Sequence, residues 1–217
     1  MIVAGGSSAR FGENKLAADL CGRPVLAWAL AAFEAAPSID AIVVVAGAGC
    51  EAWAENLAKV WAPTKFRAVV SGGARRRESV EAGLRACRSR YVAIHDGARP
   101  LIGVTTIELA IAGAEGKPGA IVAIPITDTV KDVASGTIVG HPDRSRLFAA
   151  QTPQVVLRQA WLDAAAASDN DETDDAAMLA RLGLECVVVE GSVENIKITR
   201  PLDLEMARMI LERRLAE

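Results

Sequence analysis

The hydrophobic pattern switches back and forth between two periods. Short apolar runs, "IVA" at 2–4, "AIVVVAG" at 41–47, "FRAVVSG" at 66–72, "YVAIHDG" at 91–97 and "GAIVAIPI" at 119–126, have the length and β-branched content of buried strands. Between them lie stretches with helical spacing: "VLAWALAAFEAA" after Pro24, "CEAWAENLAKV" from Cys50, "RRRESVEAGLRAC" from Arg75 and "TTIELAIAGAEG" from Thr105. Pro24 suits a first helical turn, where its missing donor is not needed. Continuous apolar strands alternating with helices predict an α/β fold on a mainly parallel sheet, covered on both faces.

From about 126 to 150 the alternation breaks. "TDTVKDVASGTIVGHPDRSRLFAAQTPQ" holds two short alternating segments around "ASG", the pattern of a hairpin arm rather than another βα unit. Such an arm buries little of itself, so it is expected to pack on something else, such as a second subunit. The chain then returns to α/β with a helix over 157–167, the acidic link "SDNDETDD", a helix over 175–182, the strand "ECVVVEG" and a last helix after Pro201. Residues 1–217 read as a single domain with one protruding arm, without internal repeats.

Composition narrows the class. The chain has 217 residues, 51% of them hydrophobic but only 4% aromatic, so its core is expected to be built from Ala, Val, Leu and Ile. A net charge of −3, with no basic run, argues against a nucleic-acid binder. Cys21, Cys50, Cys87 and Cys186 are scattered and only His95 and His141 accompany them, which disfavours a structural zinc site and suits a reducing cytoplasm. Neither a signal peptide nor a membrane-spanning stretch is expected.

Candidate chemistry falls where strands run into loops, the place where open α/β sheets bind ligands. "AGGSSARFGENK" brings Gly5 and Gly6, whose main chain can approach an anion, ahead of Arg10 and Lys15. Ser7 breaks the dinucleotide pattern GxGxxG, and Glu13 after Gly12 breaks the P-loop. A plain glycine-rich turn is the competing explanation. "HDGARP" places Asp96 at a strand end, able to bind a hard cation such as Mg²⁺ or simply to pair with Arg99. His95 reads as a hydrogen-bonded, partly buried histidine. In "SGGARRRESV" a second glycine pair precedes a helix; Ser79 is expected to face a nucleotide base, and Arg75–Arg77 to include a solvated face. Thr129, Lys131 and Arg144 lie in the arm. Lys197, between Ile196 and Ile198, is equally compatible with ordinary strand alternation. Local cations in an acidic chain point to a small polyanion.

"AGGSSARFGENK", "SGGARRRESV", "HDGARP", "PITDTVK", "DRSRLFAAQTPQ", "TDDAAML" and "EGSVENIKITRPLDL", in that order, resemble the 2-C-methyl-D-erythritol 4-phosphate cytidylyltransferase family over essentially the whole chain. The opening loop alone is similar to many nucleotidyltransferases; "HDGARP", "TPQ" and "NIKITRP" are more specific. The resemblance implies a Rossmann-like fold of the nucleotide-diphospho-sugar transferase type and a homodimer with exchanged arms. It implies transfer of CMP from CTP to 2-C-methyl-D-erythritol 4-phosphate with release of pyrophosphate, a step of the non-mevalonate isoprenoid pathway, and Mg²⁺ held in part by Asp96. Arg10 and Lys15 would stabilise charge on the α-phosphate, and Arg144 and Lys197 would position the attacking phosphate. Thr129, from the neighbour's arm like Arg144, would also bind the acceptor. Ala4, Gly5, Gly6, Gly73 and Ser79 would contact the nucleotide, and Arg99 would be a further substrate-binding residue. This chain departs from the family pattern in a short Arg10–Lys15 spacing, in Asn14 rather than proline before the lysine, and in Ala74 where aspartate is common. A ribitol-phosphate cytidylyltransferase is the nearest alternative, and a non-catalytic nucleotide-binding module is the alternative from another class.

Overall fold

Uninterrupted apolar runs become the inner strands of one sheet, since both their faces must be covered. The computed structural model describes residues 1–5, 14–167 and 170–216. In chain order they form β1 (Ile2–Ala4), β2 (Asp19–Leu20), β3 (Arg23–Pro24), α1 (Val25–Ala35), β4 (Ile42–Ala46), α2 (Glu51–Trp61), β5 (Phe66–Ser71), α3 (Arg76–Ala86), β6 (Tyr91–Asp96), α4 (Val104–Ala114) and β7 (Gly119–Pro125). Then come β8 (Asp132–Ala134), β9 (Thr137–Gly140), a 3₁₀ turn (Arg144–Arg146), β10 (Phe148–Leu157), α5 (Arg158–Ala167), α6 (Asp175–Ala180), β11 (Val187–Glu190) and α7 (Pro201–Ala216).

The central sheet has the order β11-β7-β10-β6-β1-β4-β5. β1 runs parallel to β4 and β6, β4 to β5, and β7 to β11, whereas β10 is antiparallel to both its neighbours. Six strands therefore end at one edge. The core divides between the faces: Leu26, Leu30, Phe33, Ala54, Ile107 and Leu211 cluster on one, and Val80, Leu84, Trp161 and Leu179 on the other. Phe33 and Trp161 are the bulkiest fully buried side chains; truncating either to alanine would cost roughly 3–5 kcal/mol. The four cysteines are free, and among the described residues no helix is long and apolar enough to cross a membrane.

The sequence reading missed β10. Its run "FAAQTPQVVL" contains Pro153, which argues against a central strand because proline cannot donate to the ladder. The sheet accommodates it in a break: the register with β7 shifts between Ala150 and Gln154, where the Thr152–Pro153 bond is cis. The expected arm also loses its last residues to the sheet, for Phe148, Ala149 and Ala150 pair with Pro125, Ile124 and Ala123. The rest of the arm is the anticipated hairpin. β8 and β9 turn through Ser135 (φ 50°) and Gly136 (φ 79°), the paired left-handed geometry of a type I′ turn. The strand expected around Lys197 is absent, since the described residues 191–200 carry no strand.

Candidate active site

Glycines crowd the carboxyl edge, where the ends of β1, β4, β5 and β6 lie side by side. The Gly72 amide donates to the Ala46 carbonyl at 2.7 Å and the Gly97 amide to the Val3 carbonyl at 2.9 Å. A side chain on Gly72 would lie 2.7 Å from the Ser79 hydroxyl, and one on Gly73 would collide with Glu78. Gly5 lies across from Gly47, with the Ser79 hydroxyl 3.6 Å from where its Cβ would stand. Ser79 is 3% exposed. Its hydroxyl accepts from the Gly73 amide at 3.2 Å and donates to the Arg75 carbonyl at 3.2 Å. The hydroxyl thus bonds the loop it follows and lies alongside Gly5. Glu78 braces the same loop, accepting from the Arg75 amide at 3.2 Å and from its Nε at 2.7 Å.

Asp96 is the centre of charge. Its side chain is 13% exposed, and Lys197 Nζ donates to Oδ2 at 2.6 Å. The strand alternation expected of Lys197 does not occur, since its segment carries no strand; the buried Ile198 beside it donates its amide to the Ala98 carbonyl at 2.8 Å. That contact lays the 195–198 segment over the end of β6. Arg99, the partner expected for Asp96, stands at 4.0 Å through Nε and instead donates Nη1 to the Asn195 carbonyl at 2.6 Å. Burial pushes the Asp96 carboxyl up, but Lys197, Arg76 and Arg99 outweigh it and hold it below the usual carboxylate range. Beneath it, His95 is fully buried and its ring lies 5.1 Å from that of Phe33. Burial lowers His95 to about 4, so it is neutral. Its Nε2 lies 3.1 Å from the Arg99 carbonyl, which can only accept, so this nitrogen carries the proton. Nδ1 then accepts from the Thr152 hydroxyl at 3.0 Å, while that hydroxyl accepts the Asp96 amide at 3.1 Å.

The arginines of "ARRRES" are not a solvated face. Arg76 spans Asp175 with two hydrogen bonds of 3.2 and 2.6 Å, and Arg77 donates to the Ala165 carbonyl at 2.5 Å. Asp175 is fully buried, and its desolvation raises the carboxyl against the pull of Arg76. Trp161 Nε1 also donates to it at 3.2 Å. Sequence reading missed this pair, whose members lie 99 residues apart. The available signal was Asp174, an acidic residue one step before a helix: it caps α6 by accepting the Ala177 amide at 2.8 Å. Gln154 completes the join, its Oε1 accepting the Asp175 amide at 2.9 Å. Asn195, 1% exposed, ties in from the other side through the Thr152 carbonyl at 2.9 Å.

The remaining candidates are more dispersed. Gly6 and Arg10 lie outside the described residues. Ala4 closes β1, and Lys15, half-buried, sits in a turn that Asn14 organises through its side chain (to the Leu16 amide, 3.2 Å) and its carbonyl (from the Ala17 amide, 2.9 Å). The departure from proline therefore leaves a defined turn. Thr129 and Arg144 are exposed on the arm, Arg144 donating to the Thr127 carbonyl at 2.5 Å. Ala74 is exposed. Among the described residues no three carboxylates, histidines or cysteines converge on a metal position. A single carboxylate fits Mg²⁺ only where substrate phosphates and water supply the other ligands, which is its usual mode in phosphate-handling sites.

A mainly parallel open sheet whose carboxyl edge gathers glycine loops and a carboxylate ringed by cations places the chain among the nucleotidyltransferases. The sequence profile described as IspD, 2-C-methyl-D-erythritol 4-phosphate cytidylyltransferase, matches residues 1–213. The chain belongs to this family. It is 41% identical to the 2-C-methyl-D-erythritol 4-phosphate cytidylyltransferase of Synechococcus sp., over 99% of this chain and 96% of that protein. It is 39% identical to the enzyme of the same name from Geotalea uraniireducens, over 98% and 95%. The crystal structure of 4-diphosphocytidyl-2C-methyl-D-erythritol synthase from Anaerococcus prevotii superposes with a TM-score of 0.86 at 27% identity, covering 97% of this chain and 96% of that one.

Proposed function

We propose that the carboxyl edge around Asp96 is where this enzyme joins CTP to 2-C-methyl-D-erythritol 4-phosphate, forming 4-diphosphocytidyl-2-C-methyl-D-erythritol and pyrophosphate. An oxygen of the acceptor phosphate attacks the α-phosphorus, and the bond to the bridging α–β oxygen breaks. The acceptor phosphate is already ionised at neutral pH, so no general base is required. Neutral, fully enclosed His95 suits this scheme, being support beneath Asp96 rather than a proton acceptor for substrate.

Catalysis then reduces to alignment and charge cancellation. Ala4, Gly5, Gly6, Gly73 and Ser79 shape the nucleotide wall. Arg10 and Lys15 stabilise the α-phosphate, Lys197 and Arg99 face the acceptor phosphate, and Thr129 and Arg144 arrive on a second copy's arm. A divalent cation at Asp96, Mg²⁺ in the cell, would screen the triphosphate and draw electron density from the α-phosphorus. The exposed arm supports the dimer: Val133, Ile138 and Val139 are 54%, 53% and 59% exposed, an apolar surface that a partner would cover. We place the enzyme in the cytoplasm.

The single observation that carries this reading is a nearly buried carboxylate at a parallel-strand end with Lys197, Arg99 and Arg76 around it. Pyrophosphate release from CTP and Mg²⁺ with 2-C-methyl-D-erythritol 4-phosphate tests it, with ribitol 5-phosphate as the control acceptor. Turnover confined to ribitol 5-phosphate would reassign the acceptor, and CTP binding without turnover on either would leave a binding module.

A further inference from the structure

Among the described residues three cations act on Asp96, and they are anchored differently. Arg76 is held by both oxygens of buried Asp175. Arg99 is held by the Asn195 carbonyl at 2.6 Å, with its Nε 4.0 Å from Asp96. Lys197 is the one whose head group rests on Asp96 itself, at 2.6 Å, and its side chain is 43% exposed. It stands on an irregular segment, tied down one residue later by the Ile198 amide. Lysine is also a mobile point charge on a flexible stem, whereas the two arginines are locked by directional bonds.

We propose that Lys197 is the resident counter-ion of Asp96, and that a divalent cation and the Lys197 ammonium exchange on that carboxylate. The inference rests on the reading that Asp96 holds the cation. In the free enzyme the ammonium neutralises a carboxylate that is mostly withdrawn from water. A hard cation arriving on the same group brings two positive centres together at low dielectric, and the mobile one leaves. The released ammonium remains within one side-chain length of the site and is available to the acceptor phosphate. Cation binding and delivery of Lys197 are then two sides of one linkage, so each weakens the other's hold on Asp96.

Mn²⁺ serves as the probe, its free concentration read by electron paramagnetic resonance with a saturating non-hydrolysable CTP analogue and no acceptor, after subtraction of the cation that the analogue holds without protein. Full-length wild type, Lys197→Met, Lys197→Arg and Asp96→Asn are compared, with circular dichroism melts establishing that each is folded. Exchange predicts that Lys197→Met binds Mn²⁺ about tenfold more tightly than wild type, and that Lys197→Arg, which keeps the competing charge, stays near wild type. Equal or weaker Mn²⁺ binding by Lys197→Met, with binding still lost in Asp96→Asn, overturns the exchange while leaving the cation site in place. Tighter binding by both Lys197 variants also overturns it, because the gain would not follow charge. Undiminished binding by Asp96→Asn instead overturns the underlying assignment of the cation to Asp96. A Lys197→Met protein that does not fold is replaced by Lys197→Gln, which is read in the same way.

Discussion

The carboxyl edge of the sheet and the hairpin arm are built on opposite terms. Among the described residues, charged groups at the edge find partners inside the same chain: Asp96 with Lys197, Arg76 with Asp175, Arg99 with the Asn195 carbonyl. The arm leaves Val133, Ile138 and Val139 in solvent, and its Thr129 and Arg144 are exposed. A two-stranded hairpin of this size has too little buried area to hold itself in place. The edge is thus preorganised by its own fold, whereas the arm keeps apolar side chains that its own chain does not bury. The difference locates where each kind of mutation should be felt.

The sharpest break of the comparison is Asp96→Asn, which keeps shape but removes the charge that organises the edge. We expect kcat to fall about 10³-fold in a protein that still folds, with a lowered melting temperature because a carboxylate held below its usual range by its cations stabilises the fold at neutral pH; pyrophosphate release and calorimetry measure the two. A KM effect alone would take Asp96 out of the reacting centre. Next comes Arg144→Ala, expected to lose about 10²-fold in kcat/KM for the acceptor without disturbing the edge. Mixing decides whether the arm crosses between subunits. Protomers of Asp96→Asn and Arg144→Ala, each nearly inactive, should recover about a quarter of wild-type activity when dissociated and reassociated, since each mixed dimer holds one intact site. If activity fails to return although mixed dimers form, the arm serves its own chain.

The same contrast explains what could be read in the sequence. Runs such as "AIVVVAG" and helical spacing after Pro24 are local signals, and β4 and α1 formed where expected. The hairpin was legible because "ASG" supplies the residues a type I′ turn demands. β10 was hidden because Pro153 looks prohibitive until the register break around it is known. At the site, Asp96 could be picked out from its position at the end of an apolar run. Its partner could not, for Lys197 stands 101 residues away and reaches it only because the Ile198 amide meets the Ala98 carbonyl. The solvated arginines were misjudged for the same reason, since Asp175, which engages Arg76, is brought in by α6. Long-range pairing is decided by topology, and helical periodicity carries no record of it.

Two stability measurements test how self-contained the edge is. Arg76→Ala leaves the buried Asp175 carboxyl without its cation and should cost about 3 kcal/mol in urea unfolding. A loss below about 1 kcal/mol would mean that Trp161 and Gln154 suffice. His95 gives a comparable effect through pH. Burial depresses its folded value to about 4 against the ordinary 6.5, with Asp96 and the bond to the Arg99 carbonyl pulling the other way and the Arg99 charge reinforcing. Below 6.5 the unfolded chain takes up a proton that the folded one refuses, so this contribution is complete above 6.5 and is lost as pH falls towards 4. The total is about 3 kcal/mol, and His95→Gln should lose that slope. An unchanged slope in the variant would assign the pH dependence to the carboxylates.

The smallest expected effect distinguishes support from contact. Ser79 was expected to face the base, yet its hydroxyl bonds the Gly73 amide and the Arg75 carbonyl, each at 3.2 Å. Removing it in Ser79→Ala should loosen the loop rather than subtract a ligand bond, raising the CTP KM about fivefold with kcat nearly constant. A Ser79→Cys substitution puts a larger and weaker donor where Gly5 and Gly72 leave little room, and should raise the KM at least as far. A kcat loss approaching that of Asp96→Asn would instead put the hydroxyl on the nucleotide itself. The loop would then open when CTP binds, and the edge would be less preorganised than its internal pairing indicates.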